Sequence, residues 1–293
     1  MRVIAVFGPT ASGKSAAALQ LAERVGGEIV CCDSMQMYAG LPILTNQPPA
    51  EDLARVYHHL VGVWRPDHEG SVAEYGRLAH AAIDDVLARG RTPIVSGGTG
   101  LYLRAALADL PLPPRPAPGS RQRYQRLYDR LGAQAAHAAL ADRDPRAAAT
   151  VHPNDRRRVV RALELHEAGT TLAPEPGTLW SPQTRQPTAI FGLDVPADVI
   201  GRRIERRTEE MFRRGVVDEV AAALAGHRFS HTAARIHGLQ DVRALLRGEI
   251  GRDEAIRRLI VRTKQYARRQ RTWMRRVPGL MPVTDAEQML AAV

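Results

Sequence analysis

Lys14 and Ser15 close the segment Gly8-Pro9-Thr10-Ala11-Ser12-Gly13-Lys14-Ser15, which fits the pattern G-x-x-x-x-G-K-[ST] of a phosphate-binding loop, or P-loop. The chemistry of that pattern is anion capture. Gly8 and Gly13 let the backbone bend so that successive N–H groups face one anion. A helix start adds partial positive charge, Lys14 a full charge, and the Ser15 hydroxyl suits Mg²⁺. An ordinary glycine turn is the alternative, and the flanking residues argue against it. Val3-Ile4-Ala5-Val6-Phe7 is an unbroken apolar run, as in a buried parallel strand, and Ser15 to Glu23 continues from the loop with a helical pattern.

Asp33 is the second candidate. It follows Glu28-Ile29-Val30-Cys31-Cys32, which reads as another strand, and a carboxylate at a strand end is placed to accept a proton from a substrate. A helix cap, or an outer partner of Mg²⁺, is the alternative role. Ser34-Met35-Gln36-Met37-Tyr38 then supply hydroxyl, amide and aromatic groups that suit a nucleobase. A third strand, Thr92 to Ser96, leads into Gly97-Gly98-Thr99-Gly100 without the Asp that holds Mg²⁺ in most P-loop NTPases. ATP binding is the common use of such a loop. The missing Asp counts against ATP hydrolysis and leaves a diphosphate ligand open.

The arginines fall in sets. Arg157, Arg158 and Arg161 follow Pro153 on a helix capped by Asn154 or Asp155. Arg203 and Arg207, four apart, project from one helix face and suit a pyrophosphate leaving group, although Glu205, Glu209 and Glu210 also allow a solvated face. The densest set is C-terminal: Arg257, Arg258, Arg262, Lys264, Arg268, Arg269, Arg271, Arg275 and Arg276, with no acid between Ala255 and Thr284. Ile256, Leu259, Ile260, Thr263, Ala267 and Met274 supply one buried stripe, and Tyr266 and Trp273 interleave with the charges. A structural charged helix normally mixes signs, so this one reads as a surface for a nucleic-acid backbone.

The elements that must position these residues follow from the pattern. Strands alternating with helices through the first hundred residues predict an α/β fold: a P-loop parallel sheet flanked by helices, with ligands bound beyond the carboxyl ends of the strands. Leu110 to Gly119 is rich in proline and breaks the helix pattern. The expected division is a core over 1–115, a small helical insertion over 116–150, and a second core part over 151–293 that carries the basic helix. Thr188 to Val195 reads as a strand returning to the sheet, and everything beyond it as helical.

Composition agrees with a core of that size. Of 293 residues 44% are hydrophobic, and the net charge is +10, carried almost wholly by arginine since Lys14 and Lys264 are the only lysines. Such a balance predicts a polyanionic partner. Adjacent Cys31 and Cys32 have no cysteine partners elsewhere and read as core residues, which excludes a disulfide framework. No apolar run is long enough for a membrane span, and a strand from residue 2 without a signal pattern gives the expectation of a cytoplasmic protein.

Taken in order, the motifs resemble the tRNA dimethylallyltransferases (tRNA isopentenyltransferases). The matching stretches are Gly8 to Ser15, Asp33 to Tyr38, His58-His59-Leu60, Gly97 to Tyr102, His152-Pro153-Asn154-Asp155 through Arg158 to Glu164, and Arg268 to Arg275. The resemblance implies transfer of a dimethylallyl group from dimethylallyl diphosphate to N6 of the adenosine just 3′ of the tRNA anticodon. It implies catalytic roles for Asp33, Lys14, Thr10, Arg203 and Arg207, and diphosphate binding by Gly8, Pro9, Thr10, Ala11, Ser12, Gly13, Lys14 and Ser15, with Mg²⁺ at Ser15. It implies tRNA contacts from Asp33, Ser34, Met35, Gln36, Thr99, Arg121, Arg157, Arg158, Arg161, Arg268, Arg269, Gln270, Arg271, Thr272, Trp273 and Arg275. The expected partners are the anticodon stem-loop and dimethylallyl diphosphate, bound by a monomer with no membrane contact. Leu239 and Gln240 depart from the family pattern, which has Tyr and a basic residue there for a local tRNA contact, and nearby Arg243 could substitute in it. An adenylate dimethylallyltransferase, a P-loop small-metabolite kinase and a non-enzymatic RNA-binding protein are the competing readings.

Overall fold

The computed structural model describes residues 2–112, 116–173 and 181–292. Residues 113–115 of the proline-rich stretch and 174–180 of the later loop, with their prolines, lie outside the described residues. Six strands form one sheet, all neighbours parallel: β1 (Val3–Phe7), β2 (Glu28–Cys32), β3 (His58–His59), β4 (Pro93–Gly97), β5 (Thr188–Leu193) and β6 (Leu280–Val283), in the spatial order β3-β2-β4-β1-β5-β6. The helices are α1 (Lys14–Val25), α2 (Pro42–Thr45), α3 (Ala50–Arg55), α4 (Val72–Ala88), α5 (Gly100–Leu107), α6 (Ser120–Ala141), α7 (Pro145–Ala148) and α8 (Arg156–Glu167). Beyond β5 come α9 (Ala197–Arg213), α10 (Val216–Gly226), α11 (Leu239–Leu246), α12 (Arg252–Met274) and α13 (Ala286–Ala291).

The sheet forms where the sequence is continuously apolar. All five residues of β1 are at most 1% exposed, which is the signature of a strand covered on both faces. On one face α1 packs Ala18, Leu21 and Ala22 against Ile4, Val6, Ile94 and Phe191, and Met289 of α13 joins the same cluster. Tyr75 of α4 and Leu103 of α5 are fully buried, and the Tyr75 hydroxyl donates to the Cys31 carbonyl at 3.1 Å. Cys31 and Cys32 are buried core residues as expected. The register aligns Phe7 with Gly97 and Gly97 with Cys32, so β1, β4 and β2 end at one level. The P-loop, Thr99 and Asp33 therefore leave the sheet at the same edge.

Two expectations are corrected. The chain is not purely helical beyond β5: Leu280–Val283 adds a parallel edge strand, β6. Its two middle residues are exposed and one is Pro282, so the segment lacks the apolar continuity that marks the inner strands. The second difference is the extent of the helical unit. The described residues form two compact units, one running to Asp109 and resuming at Pro182, the other spanning Leu110–Ser181. Residues 151–167 belong with the second, because α8 buries Val159, Ala162 and Leu163 in the cluster that holds Ala136 and Leu140 of α6.

At the opposite end of the sheet from the P-loop, β2 begins with a buried carboxylate. Glu28 accepts from Arg89 Nη1 and Nη2, from Arg91 Nη1 at 2.7 Å, and bonds His59 Nε2 at 2.7 Å. The Arg89 hydrogen bonds hold its pKa far below the ordinary 4.5, at about 2. A depressed folded-state value contributes stability above the unfolded value and loses it as pH falls. Glu28→Gln is expected to destabilise by about 2 kcal/mol at pH 7, both arginines being half-exposed and screened. Denaturant titrations at stepped pH check this: the difference from wild type should shrink steadily between pH 4.5 and 2. A difference constant with pH would show that the cluster does not hold the carboxylate charged.

Candidate active site

The P-loop is fixed from several directions. Gly13 has φ 98° and ends the loop, and α1 begins at Lys14 with no side chain capping it. Its first-turn amides are thus left for an anion. Ala11 also takes a left-handed conformation (φ 62°), which a residue with a Cβ adopts only under constraint. The constraint is visible. Arg203 Nη1 donates to the Ala11 carbonyl at 3.4 Å and the Ser12 carbonyl at 3.0 Å. On the other side the Thr10 N–H donates to Gln270 Oε1 at 2.8 Å, and Arg207 Nη2 donates to the Thr10 hydroxyl. Sequence spacing gave Arg203 and Arg207 a shared helix face, and the structure sets both on the P-loop.

The loop opens into a cavity of about 720 Å³ lined by Lys14, Ser15, Asp33, Arg203 and Arg207 among others. Lys14 Nζ lies 3.5 Å from the Pro9 carbonyl. Burial holds the Lys14 ammonium below its ordinary range, with Asp33 opposing and Arg207 reinforcing. Burial likewise lowers Arg207, and Asp33 again opposes. Lys14, Arg203 and Arg207 thus converge beside Asp33, and the cavity lining, which also holds Arg206, Arg213 and Glu210, carries a net positive charge. Asp33 Oδ1 accepts from the Met35 N–H at 3.0 Å, which pins the carboxylate and leaves Oδ2 for a substrate. The Ser15 hydroxyl is exposed, lines the cavity and has no protein partner among the described residues. No cluster of three or more His, Cys, Asp or Glu that could hold a metal occurs among the described residues. A hard cation here would draw its ligands from Ser15 and a bound diphosphate.

The far wall comes from distant segments. Met35, Gln36, Asn46, Met211, Leu259, Thr263, His237 and Tyr266 all line the cavity. Gln36 Nε2 donates to the Asn46 carbonyl at 2.7 Å, tying the stretch after Asp33 to the end of α2. Ser34 is partly buried at the same turn. Met37 and Tyr38, by contrast, are not available to a base: both are buried, and the Tyr38 hydroxyl bonds Thr232 Oγ1 at 2.8 Å. His237 stacks on Tyr266 (centroids 5.7 Å apart) and bonds Thr263 Oγ1 at 2.8 Å. Burial, helped by Arg262, Arg269 and Arg207, brings the His237 imidazole down to about 4, so it is neutral at pH 7. Tyr266 bonds Thr99 Oγ1 at 3.2 Å. His237, Met211 and Asn46 were missed in the sequence, where His237 lies beside Leu239 and Gln240. Leu239 is fully buried, and Gln240 donates to the Ala234 carbonyl at 2.9 Å.

The basic helix α12 is less unmixed in space than in sequence. Lys264 pairs with Glu205 (2.6 Å), Arg262 with Asp241 (3.4 Å), Arg271 with Asp194 (3.3 Å), and Arg257 and Arg258 with Glu254. Gln270 is only 4% exposed and faces inward. Trp273 is half-buried against α5, where a Cβ at Gly100 would fall 2.1 Å from its ring. Arg268, Arg269, Thr272, Arg275 and Arg276 remain on the exposed face, and those four arginines make no ion pair among the described residues. In the helical unit, Arg121 and Arg161 hold the buried Glu164 at 2.9 and 3.2 Å, whereas Arg157 and Arg158 are exposed.

Comparison with known proteins agrees with this arrangement. The model of a family described as IPP transferase matches residues 36–277. A tRNA dimethylallyltransferase of Anaeromyxobacter sp. strain K is 42% identical over 300 residues, covering 100% of this chain and 97% of the relative. The crystal structure of the full-length tRNA isopentenylpyrophosphate transferase of Bacillus halodurans superposes with a TM-score of 0.70 at 32% identity, over 99% of this chain and 94% of that one. A eukaryotic dimethylallyltransferase caught acting on tRNA superposes with a TM-score of 0.75 at 26% identity, over 98% and 75%. A matched span of most of the chain, joined to a phosphate loop, a strand-end aspartate and a shared cavity, places this chain in the IPP transferase family.

Proposed function

We propose that this protein transfers a dimethylallyl group from dimethylallyl diphosphate to N6 of the adenosine 3′-adjacent to the anticodon in tRNA. The observation that carries this reading is one cavity in which Lys14, Arg203 and Arg207 stand together beside the carboxylate of Asp33. The diphosphate occupies the P-loop, on the amides of the first turn of α1 and the Lys14 ammonium. Mg²⁺ suits the Ser15 hydroxyl together with diphosphate oxygens, and when bound it neutralises part of the diphosphate charge.

The chemistry follows from charge. An adenine amine is a weak nucleophile because its lone pair is delocalised into the ring. The C–O bond to diphosphate therefore lengthens early and leaves allyl-cation character on the carbon. Lys14, Arg203, Arg207 and the loop amides stabilise the electron pair that departs with the diphosphate, which is the largest electrostatic task. As the N6–C bond forms, Asp33 Oδ2 takes the amine proton and its charge offsets the cation nearby. Thr10, held by Arg207, orients the diphosphate oxygens. The target base reaches the cavity by leaving its stack, which selects a flexible anticodon loop over duplex. Asp33 to Gln36 and Thr99 meet that nucleotide. The exposed arginines of α12, with Arg157 and Arg158, hold the RNA backbone. The protein works as a cytoplasmic monomer. No described helix is long and apolar enough to cross a membrane.

Incubation of unmodified tRNA with the protein and dimethylallyl diphosphate, read by mass spectrometry, tests the reading: one adenosine should gain a dimethylallyl group in place of one hydrogen. Faster transfer to AMP than to tRNA would move the acceptor to a free nucleotide, for which the outer face of α12 has no task. Asp33→Ala should lower turnover by about 10³-fold with tRNA affinity nearly unchanged, and undiminished turnover would remove Asp33 from proton transfer. The double change Arg269→Glu and Arg275→Glu should weaken tRNA binding at least about tenfold and flatten its salt dependence by about two phosphate contacts. Filter binding at stepped salt measures both, and a slope equal to wild type would exclude that face from the contact.

A further inference from the structure

We propose that Gln270 is a positioning residue for the diphosphate site rather than an RNA contact. The proposal rests on the reading of the P-loop as the diphosphate cradle. Gln270 stands within the stretch that otherwise presents Arg268 and Arg269 of α12, and Arg275 just after it, outward, yet its side chain is 4% exposed. Its amide makes two hydrogen bonds across a large sequence distance. Oε1 accepts from the Thr10 N–H at 2.8 Å, and Nε2 donates to the Gly98 carbonyl at 2.9 Å. One side chain thus joins the loop after β1 to the loop after β4.

Two consequences follow for the loop. The Thr10 N–H is satisfied from inside the protein, so it is turned from the anion and the cradle is built from the amides that follow it. Thr10 also precedes Ala11, whose left-handed conformation is unfavourable for a residue with a Cβ. Gln270 holds the entry to that residue and Arg203 holds its exit carbonyl. Arg207 meanwhile holds the Thr10 hydroxyl. The loop is therefore set in its binding shape before any anion arrives, and such preorganisation lowers the free-energy cost of binding.

The site is built for a primary amide. A Cβ on Gly98 would lie 2.3 Å from Gln270 Nε2 and 2.7 Å from the Gly8 carbonyl, so the glycine makes the room. Leucine has the size of glutamine but neither bond. Glutamate keeps the acceptor for Thr10 and sets a carboxylate against the Gly98 carbonyl, and only its protonated form can donate there.

Calorimetry with inorganic pyrophosphate, in the absence of RNA, tests the proposal together with steady-state transfer and tRNA binding. Gln270→Leu should weaken pyrophosphate binding and lower kcat/KM for the prenyl donor by about 10–100-fold, with tRNA affinity within about twofold of wild type. Gln270→Glu should also bind pyrophosphate weakly at pH 8 and recover toward wild type as pH falls to 6, because protonation restores the bond to Gly98. It carries the test alone should the leucine variant not fold. Wild-type pyrophosphate affinity in these variants overturns the proposal, whether or not tRNA binding weakens. If the wild-type protein binds pyrophosphate but modifies no tRNA, the proposed function fails and the role of Gln270 in the loop stands.

Discussion

Positive charge gathered at one edge of the sheet is the constraint around which the rest is arranged. Lys14, Arg203 and Arg207 repel one another, and burial already lowers the pKa of Lys14 and of Arg207. Asp33 offsets part of that charge. The remainder is stored for an anion, so the geometry favours a ligand that brings negative charge and, better, one that gains it during reaction. Diphosphate leaving carbon does the second. The parallel sheet supplies the placement, because β1, β4 and β2 end at one level and deliver the P-loop, Thr99 and Asp33 together.

Helix α12 serves this constraint on two sides. Its inner face carries Gln270 to the P-loop and Tyr266 to Thr99, and Thr263 bonds His237 in the cavity wall. Its outer face keeps Arg268 and Arg269 in solvent, and the turn just beyond its end does the same for Arg275 and Arg276. The remaining cations are spent on neighbours, as in Lys264 with Glu205 and Arg271 with Asp194. A rigid helix of 23 residues thus holds an exposed cationic surface and a cavity-facing one at fixed separation.

Much of this was legible in the residues. The P-loop announces itself because an unbroken apolar strand must precede it and its own backbone geometry demands glycine at position 13. Asp33 was legible as the polar residue that ends an apolar run. Long-range packing was not legible. Strand β6 is short, half-exposed and carries Pro282, so no pattern separates it from a loop. Helix α8 looks like any amphipathic helix, and only its partner in α6 reveals which unit it completes. Gln270 sits in a run of surface arginines, and nothing in its neighbours shows that it faces Thr10. The charge pattern of α12 misled in the same way, since its acids arrive from Asp194, Glu205 and Asp241 on other segments.

The most direct measurement of the central claim, that this phosphate loop expels pyrophosphate from a prenyl donor, is product stoichiometry. Wild-type protein would be supplied with an unmodified anticodon stem-loop, dimethylallyl diphosphate and Mg²⁺, and pyrophosphate release followed against alkylated adenosine. In parallel, ATP labelled at the γ-phosphate would replace the prenyl donor. The account requires pyrophosphate and alkylated adenosine in equal amounts and no transfer or release of the label. Release of labelled phosphate from ATP, with the prenyl donor left intact beside the RNA, would contradict it.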